Sequence, residues 1–216
     1  MARLLDITAH VNALADRVHA LRPTHPRLIV ALAGAPASGK STLAAELMRR
    51  LRLQKCAAEV VPMDGFHLDN AVLDARGLRT RKGAPETFDA TGFVNMIRRL
   101  KSPGEVVVPV FDRARDIAIA GALVVPNDCP VVIVEGNYLL FDEAPWGSLA
   151  ALWDISARID VPMPELRGRL IQRWLNQGLS RAAATRRAEG NDIPNAQRVS
   201  DRALPADINL FAPPPL

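Results

Sequence analysis

The chain has 216 residues, room for one domain with a sizeable core, and 49% of them are apolar with the charges spread along the sequence. No apolar run approaches the roughly 18–20 residues that a membrane helix needs, and the charged N-terminus is unlike a secretion signal. Cys56 and Cys129 stand far apart without a CxxC or a zinc-like histidine spacing, so they read as reduced thiols of a cytoplasmic protein.

The net charge of +4 is unevenly placed. Residues 76–85 hold four basic side chains (Arg76, Arg79, Arg81, Lys82) and residues 167–187 hold six arginines, neither stretch with an acid. Together they carry +10, leaving −6 on the remainder. With few aromatics and no nucleic-acid motif, this pattern points to steering and clamping of a small polyanion rather than to DNA or RNA.

In chain order, Leu4, Ile7, Val11, Leu14, Val18 and Leu21 fit one face of an amphipathic helix stopped by Pro23. "RLIVALAG" (27–34) is a short apolar run of the kind that forms a buried parallel strand, followed by a Gly-rich loop and a helix carrying Leu43, Leu47 and Leu51. "AAEVVPMDGF" predicts a second strand ending near Met63. A long polar loop with one short helix then runs from Asp64 to Phe88. Asp89 caps a helix with Phe93, Ile97 and Leu100 on its face. "EVVVPVF" and "ALVVP" predict a hairpin-like excursion around 105–125, "PVVIVEG" a buried strand ending at Glu135, and "ISARIDVP" another, with Pro164 opening the next helix. "ADINL" predicts a last strand before a Pro-rich tail. Strands alternating with helices make this an α/β fold with a mostly parallel sheet, a single domain over 1–216.

Gly34-x-x-x-x-Gly39-Lys40-Ser41, between a strand and a helix, is the P-loop pattern. Its backbone from Gly34 and Ala35 through Ala37, Ser38, Gly39 and Thr42 would cradle phosphates at a positive helix N-terminus. Lys40 would reach the β- and γ-phosphates, and Ser41 would ligate Mg²⁺. No Asn-Lys-x-Asp base-reading motif or LSGGQ-like signature accompanies it, which argues against a GTPase and a transporter ATPase. Glu135 closes its strand where a Mg²⁺-orienting carboxylate belongs. Asp64, ending the strand after the P-loop helix, stands where it can aim an acceptor hydroxyl.

The P-loop, "VVPMDGFHLDN", "RKGAPETFD", "PVFDRARD", "IVEGNYLL" and "RLIQRW" occur in the order of the phosphoribulokinase/uridine kinase family, and the resemblance runs from about 28 to 190. "MDGFHLDN" and "RKGAPETFD" look closest to its pantothenate kinase branch, and the whole resembles small bacterial nucleoside/nucleotide kinase or fructokinase-like proteins. The resemblance implies a P-loop kinase fold with a mobile helical lid at about 165–190. It further implies Asp64 as catalytic carboxylate, Glu135 in the Mg²⁺ shell, Glu86 on acceptor hydroxyls, Arg169 on the acceptor and Arg173 on the phosphates. Phe111 replaces a family tyrosine, and Asp116 stands where uridine kinases carry a base-contacting histidine, a departure from that branch. His67 and Arg113 are further acceptor contacts. The expectation is an ATP- and Mg²⁺-dependent kinase acting on a sugar, nucleoside or pantothenate-like alcohol, with no nucleic-acid or membrane partner and homodimerisation left open. An ATP-binding regulator or an NTPase with water as acceptor are the rival readings.

Overall fold

The computed structural model describes residues 7–211, so Leu4 and residues 212–216 of the Pro-rich tail lie outside the described residues. Five strands, β1 (Leu28–Gly34), β2 (Ala58–Pro62), β5 (Val131–Gly136), β6 (Ile155–Asp160) and β7 (Ile208–Phe211), form a parallel sheet in the order β2-β5-β1-β6-β7. Every residue of β1 and of β5 is buried, which explains why both read as continuous apolar runs without alternation. Leu28, Val30 and Leu32 face a layer made by α1 (Thr8–Leu21) and α2 (Lys40–Leu53). Ile29, Ala31 and Ala33 face the opposite layer, led by α4 (Ala90–Leu100).

The connection from β1 runs to β2 on one side of the sheet and that from β5 runs to β6 on the other, so a crevice opens at the carboxyl ends of β1 and β5, where α/β sheets bind ligands. The polar stretch after β2 becomes a 3₁₀ turn (Met63–Phe66), the short α3 (Asn70–Ala75) and two further 3₁₀ turns. Asp89 caps α4 by accepting from the Gly92 amide at 2.9 Å. Strands β3 (Val106–Asp112) and β4 (Ile117–Val125) form a separate antiparallel hairpin with an irregularity between Val108 and Val110. β4 begins well before the expected "ALVVP", because its first half, "IAIAG", is rich in Ala and Gly, which carry little strand signal.

The chain then adds α5 (Met163–Asn176), with Pro164 at its second position, α6 (Arg181–Arg187), a π turn (Ala188–Asp192) and α7 (Ile193–Asp201). Leu166, Leu170, Ala188 and Ala196 pack together against Ala35 of the Gly-rich loop. This small cluster is what seats these helices beside the crevice.

Candidate active site

The 34–42 loop has the geometry its sequence implies. Ala37 and Gly39 adopt left-handed backbones (φ 63° and 98°), the alternation that turns successive amides toward one point. Lys40, the first residue of α2, is buried, and its ammonium donates to the Ala35 carbonyl at 3.4 Å. Burial pushes its pKa down, against the opposing fields of Glu135 and Asp64, while Arg113 and Arg173 add to the lowering. Among the described residues three buried polar side-chain atoms lack a partner, and two of them, Ser38 Oγ and Arg173 Nε, belong to this end of the crevice. Buried donors left unpaired fit a site that awaits an anion.

Ser41 Oγ donates to Glu135 Oε1 at 3.1 Å. That spacing suits two oxygens on neighbouring vertices around an ion with Mg–O distances of about 2.0–2.1 Å, so the pair fits Mg²⁺. Burial raises the Glu135 pKa, Lys40 opposes the rise and Asp64 adds to it. Asp64 is therefore close enough to act on both Lys40 and Glu135. Its position depends on two close approaches. A Cβ on Gly136 would stand 2.5 Å from Met63 Cβ, and one on Gly65 would stand 2.3 Å from the Pro109 carbonyl oxygen. Glycine at 136 lets the turn that carries Asp64 settle on β5; glycine at 65 lets the β3–β4 hairpin press on that turn.

Arg113, near the hairpin tip, donates from Nη2 to Asp64 Oδ2 at 2.5 Å. His67 lies between Phe88 and Phe111, with ring centroids 4.0 Å and 4.5 Å away. Its Nδ1 is 2.8 Å from the Asp64 carbonyl oxygen, so Nδ1 carries the proton and Nε2 is an acceptor. Burial lowers the His67 pKa, which keeps the ring neutral; Asp64 opposes the shift, and Lys82 and Arg113 add to it. Asp116 joins this group through Lys82, whose ammonium lies 2.9 Å from Asp116 Oδ1 and 5.1 Å from the Phe111 ring centroid. Burial works against the Asp116 charge, yet hydrogen bonds from Lys82 and Asn70 hold its pKa below the ordinary value.

Two expected acceptor contacts are engaged by protein partners. Glu86 pairs with Arg81 (2.9 Å) and Arg198 (3.1 Å) and lines a cleft of about 330 Å³ with Phe88, Trp146 and Glu143. Phe88, in the same cleft, stacks on His67 and forms an antiparallel bridge with it, and the charges of Glu86 and Asp64 both act on Tyr138, so this cleft adjoins the Asp64 turn. Arg169 donates to the carbonyls of Ala37 (3.2 Å) and Ser38 (3.3 Å) and pairs with Glu165 at 2.5 Å. The reason is helical spacing: Leu166, Arg169, Leu170 and Arg173 share the face of α5 that packs on the Gly-rich loop. Arg169 is thus at the nucleotide end and Arg173 one turn further along, its Nη2 donating to Asp192 Oδ1 at 3.3 Å.

Sequence reasoning missed Lys82 as an individual contributor, along with Asn70, Asn191 and Asp192. The one signal available was that Glu189 and Asp192 are the first acids after the arginine-rich stretch.

A model of the phosphoribulokinase/uridine kinase family matches residues 29–187. The chain belongs to that family. It is 40% identical over 193 residues to the uncharacterized protein YggC of Escherichia coli, covering 88% of this chain and 80% of YggC. A Schizosaccharomyces pombe protein provisionally named as a uridine kinase is 34% identical, covering 95% of this chain and 91% of its own. Among solved structures, a Silicibacter protein provisionally named as a fructose transport system kinase superposes with a TM-score of 0.88 at 54% identity, over 92% of this chain and 98% of that one. The protein is therefore a P-loop kinase of the uridine kinase/phosphoribulokinase type, a family that implies ATP use with Mg²⁺ generally associated.

Proposed function

We propose that this kinase transfers the γ-phosphate of ATP to an alcohol hydroxyl of a small polyol acceptor, a sugar, a nucleoside or a pantothenate-like alcohol, in the cytoplasm. The observation that carries the reading is the placement of Asp64. It stands at the carboxyl edge of the sheet, within electrostatic reach of Lys40 and Glu135, and its turn is bonded through the Asp64 carbonyl to the neutral His67.

In this reading the amides of residues 34–42 and Lys40 bind the triphosphate, with Arg169 bracing the loop through its carbonyls. Ser41 and Glu135 would hold Mg²⁺, which when bound neutralises phosphate charge. Asp64 accepts a hydrogen bond from the acceptor hydroxyl and aims its oxygen at the γ-phosphorus. A carboxylate is a far weaker base than an alkoxide, so its contribution is mainly positioning until the proton loosens in the transition state. His67 Nε2 accepts from a second hydroxyl, which favours acceptors with more than one OH. Arg113 and Asp116 complete the acceptor wall. Arg173 adds charge at the phosphates, and the lid excludes water, the competing nucleophile.

ADP production should be followed with ATP and Mg²⁺ across sugars, nucleosides, pantothenate and a no-acceptor control. One acceptor class is expected to raise turnover toward the roughly 1–100 s⁻¹ of kinases. Equal turnover with and without every acceptor would favour the water-acceptor reading.

A further inference from the structure

The two basic, acid-free stretches meet in space through the lid. Asn191, in the π turn, is 5% exposed, and its Nδ2 donates to the Lys82 carbonyl at 2.9 Å. Asn195 Nδ2 donates to Asn191 Oδ1 at 3.2 Å, which fixes how the Asn191 amide points. The next residue, Asp192, accepts from Arg173 Nη2 at 3.3 Å and from Trp174 Nε1 at 2.5 Å. Neighbouring helical residues point about 100° apart, so the turn gives one side chain to the loop and the next to α5. π turns are rare and concentrate at functional sites. Arg187 adds an outer contact to the Thr80 carbonyl at 3.4 Å, with its guanidinium 5.2 Å from the Trp174 ring centroid.

On the loop side, Lys82 bonds Asn70 Oδ1 (2.7 Å), the Asp116 carbonyl (2.9 Å) and Asp116 Oδ1 (2.9 Å), which uses its three donors. A continuous path therefore runs from Asp116 through Lys82, Asn191 and Asp192 to Arg173. Its two ends are the acceptor wall and the phosphate-side arginine.

We propose that Asn191 is a positioning residue that couples the 78–84 loop of the acceptor wall to the lid, so that Arg173 is presented to the phosphates in concert with that loop. The inference rests on the kinase reading above. Coupling between sites is reciprocal, so nucleotide bound on the lid side must also order the loop. Such couplings span about 5–150-fold in equilibrium terms.

The test uses the full chain with Mg²⁺ and the non-hydrolysable analogue AMP-PNP, its binding measured by calorimetry and its effect by amide hydrogen exchange. In the wild type, exchange should slow in both 165–192 and 78–84. In Asn191→Ala and in the size-matched Asn191→Asp, the lid should still respond while the slowing of 78–84 falls at least about fivefold. Thermal unfolding verifies that each variant is folded, and the aspartate variant serves if the alanine variant is not. A loop that remains as protected as in the wild type overturns the coupling and leaves the kinase reading intact. Faster exchange in both segments by the same factor with and without nucleotide shows a merely structural role and also overturns it. Failure of wild-type protein to bind AMP-PNP would instead remove the kinase reading, and the coupling with it.

Discussion

At the proposed phosphate end of the crevice the groups stand on the sheet and its helices: Lys40 opens α2, Glu135 lies within β5, and Arg173 is held by α5. At the proposed acceptor end, Asp64 and His67 belong to a 3₁₀ turn and its edge, and Arg113 and Asp116 to the tip of a hairpin outside the main sheet. The first arrangement tolerates little change because each group is fixed by a buried strand or helix. The second can alter its chemistry by exchanging loop side chains while the core stays as it is. A shared phosphate site beside a variable acceptor site is what a family of kinases with different acceptors needs.

The sharpest way to break this comparison is at the phosphate end. Lys40→Met should lower kcat/KM by about 10²–10³-fold, the scale of losing one charge-stabilising donor, in steady-state kinetics of ADP formation. Next in size is the contact joining the hairpin to the Asp64 turn. Gly65→Ala places a Cβ 2.3 Å from the Pro109 carbonyl oxygen, and overpacking of this kind costs about 1–3 kcal/mol. Tm should fall on the order of 2–12 °C, and acceptor kinetics should suffer more than AMP-PNP binding. An active variant of wild-type stability would show that the hairpin does not hold Asp64.

His67 supplies a pH-dependent test. Its folded pKa lies below the ordinary 6.5 because burial disfavours the charged ring. Below pH 6.5 the unfolded chain takes up a proton that the folded one refuses, so acid favours unfolding until the folded pKa is passed. Stability should therefore drop as pH falls from about 6.5, by at most about 1.4 kcal/mol per pH unit from this residue. His67→Phe, which keeps a ring in the stack, should flatten that slope in urea midpoints at pH 7.5 and 5.5. The smallest effect is expected at Glu86, whose pairs with Arg81 and Arg198 are partly solvent-exposed. Glu86→Gln should change kcat/KM by less than about threefold and stability by less than about 1 kcal/mol. A loss on the scale of Lys40→Met would place Glu86 among the acceptor contacts.

The same contrast decides what the sequence reveals. β1, α2 and β5 announce themselves because a buried parallel strand must be apolar throughout, and a phosphate loop needs glycine and lysine at fixed spacing. Asp64 and Glu135 are legible for the same reason, as charges that end apolar runs. Glu86 lies in an irregular loop and pairs with Arg81 and Arg198 beside a cleft that also holds Phe88. In a loop without periodicity, no spacing tells which side a residue takes. Arg169 shows the complementary case: its helix is legible, but the partner of that helix face is set by tertiary packing of Leu166 and Leu170 against Ala35. Asn191 and Asp192 carry no sequence signal, because their roles come from a π turn that places adjacent side chains against different elements.

The central claim, that Asp64 aims an alcohol at the γ-phosphate, is tested most directly by following γ-³²P-labelled ATP in wild type and Asp64→Asn with a mixed panel of polyols. Calorimetry with AMP-PNP would run beside it. The account predicts label on an organic alcohol in the wild type. In the variant, transfer should fall by about 10²–10⁴-fold while nucleotide affinity stays within about twofold. Label that appears as inorganic phosphate alone in both proteins, at equal rates, would contradict it.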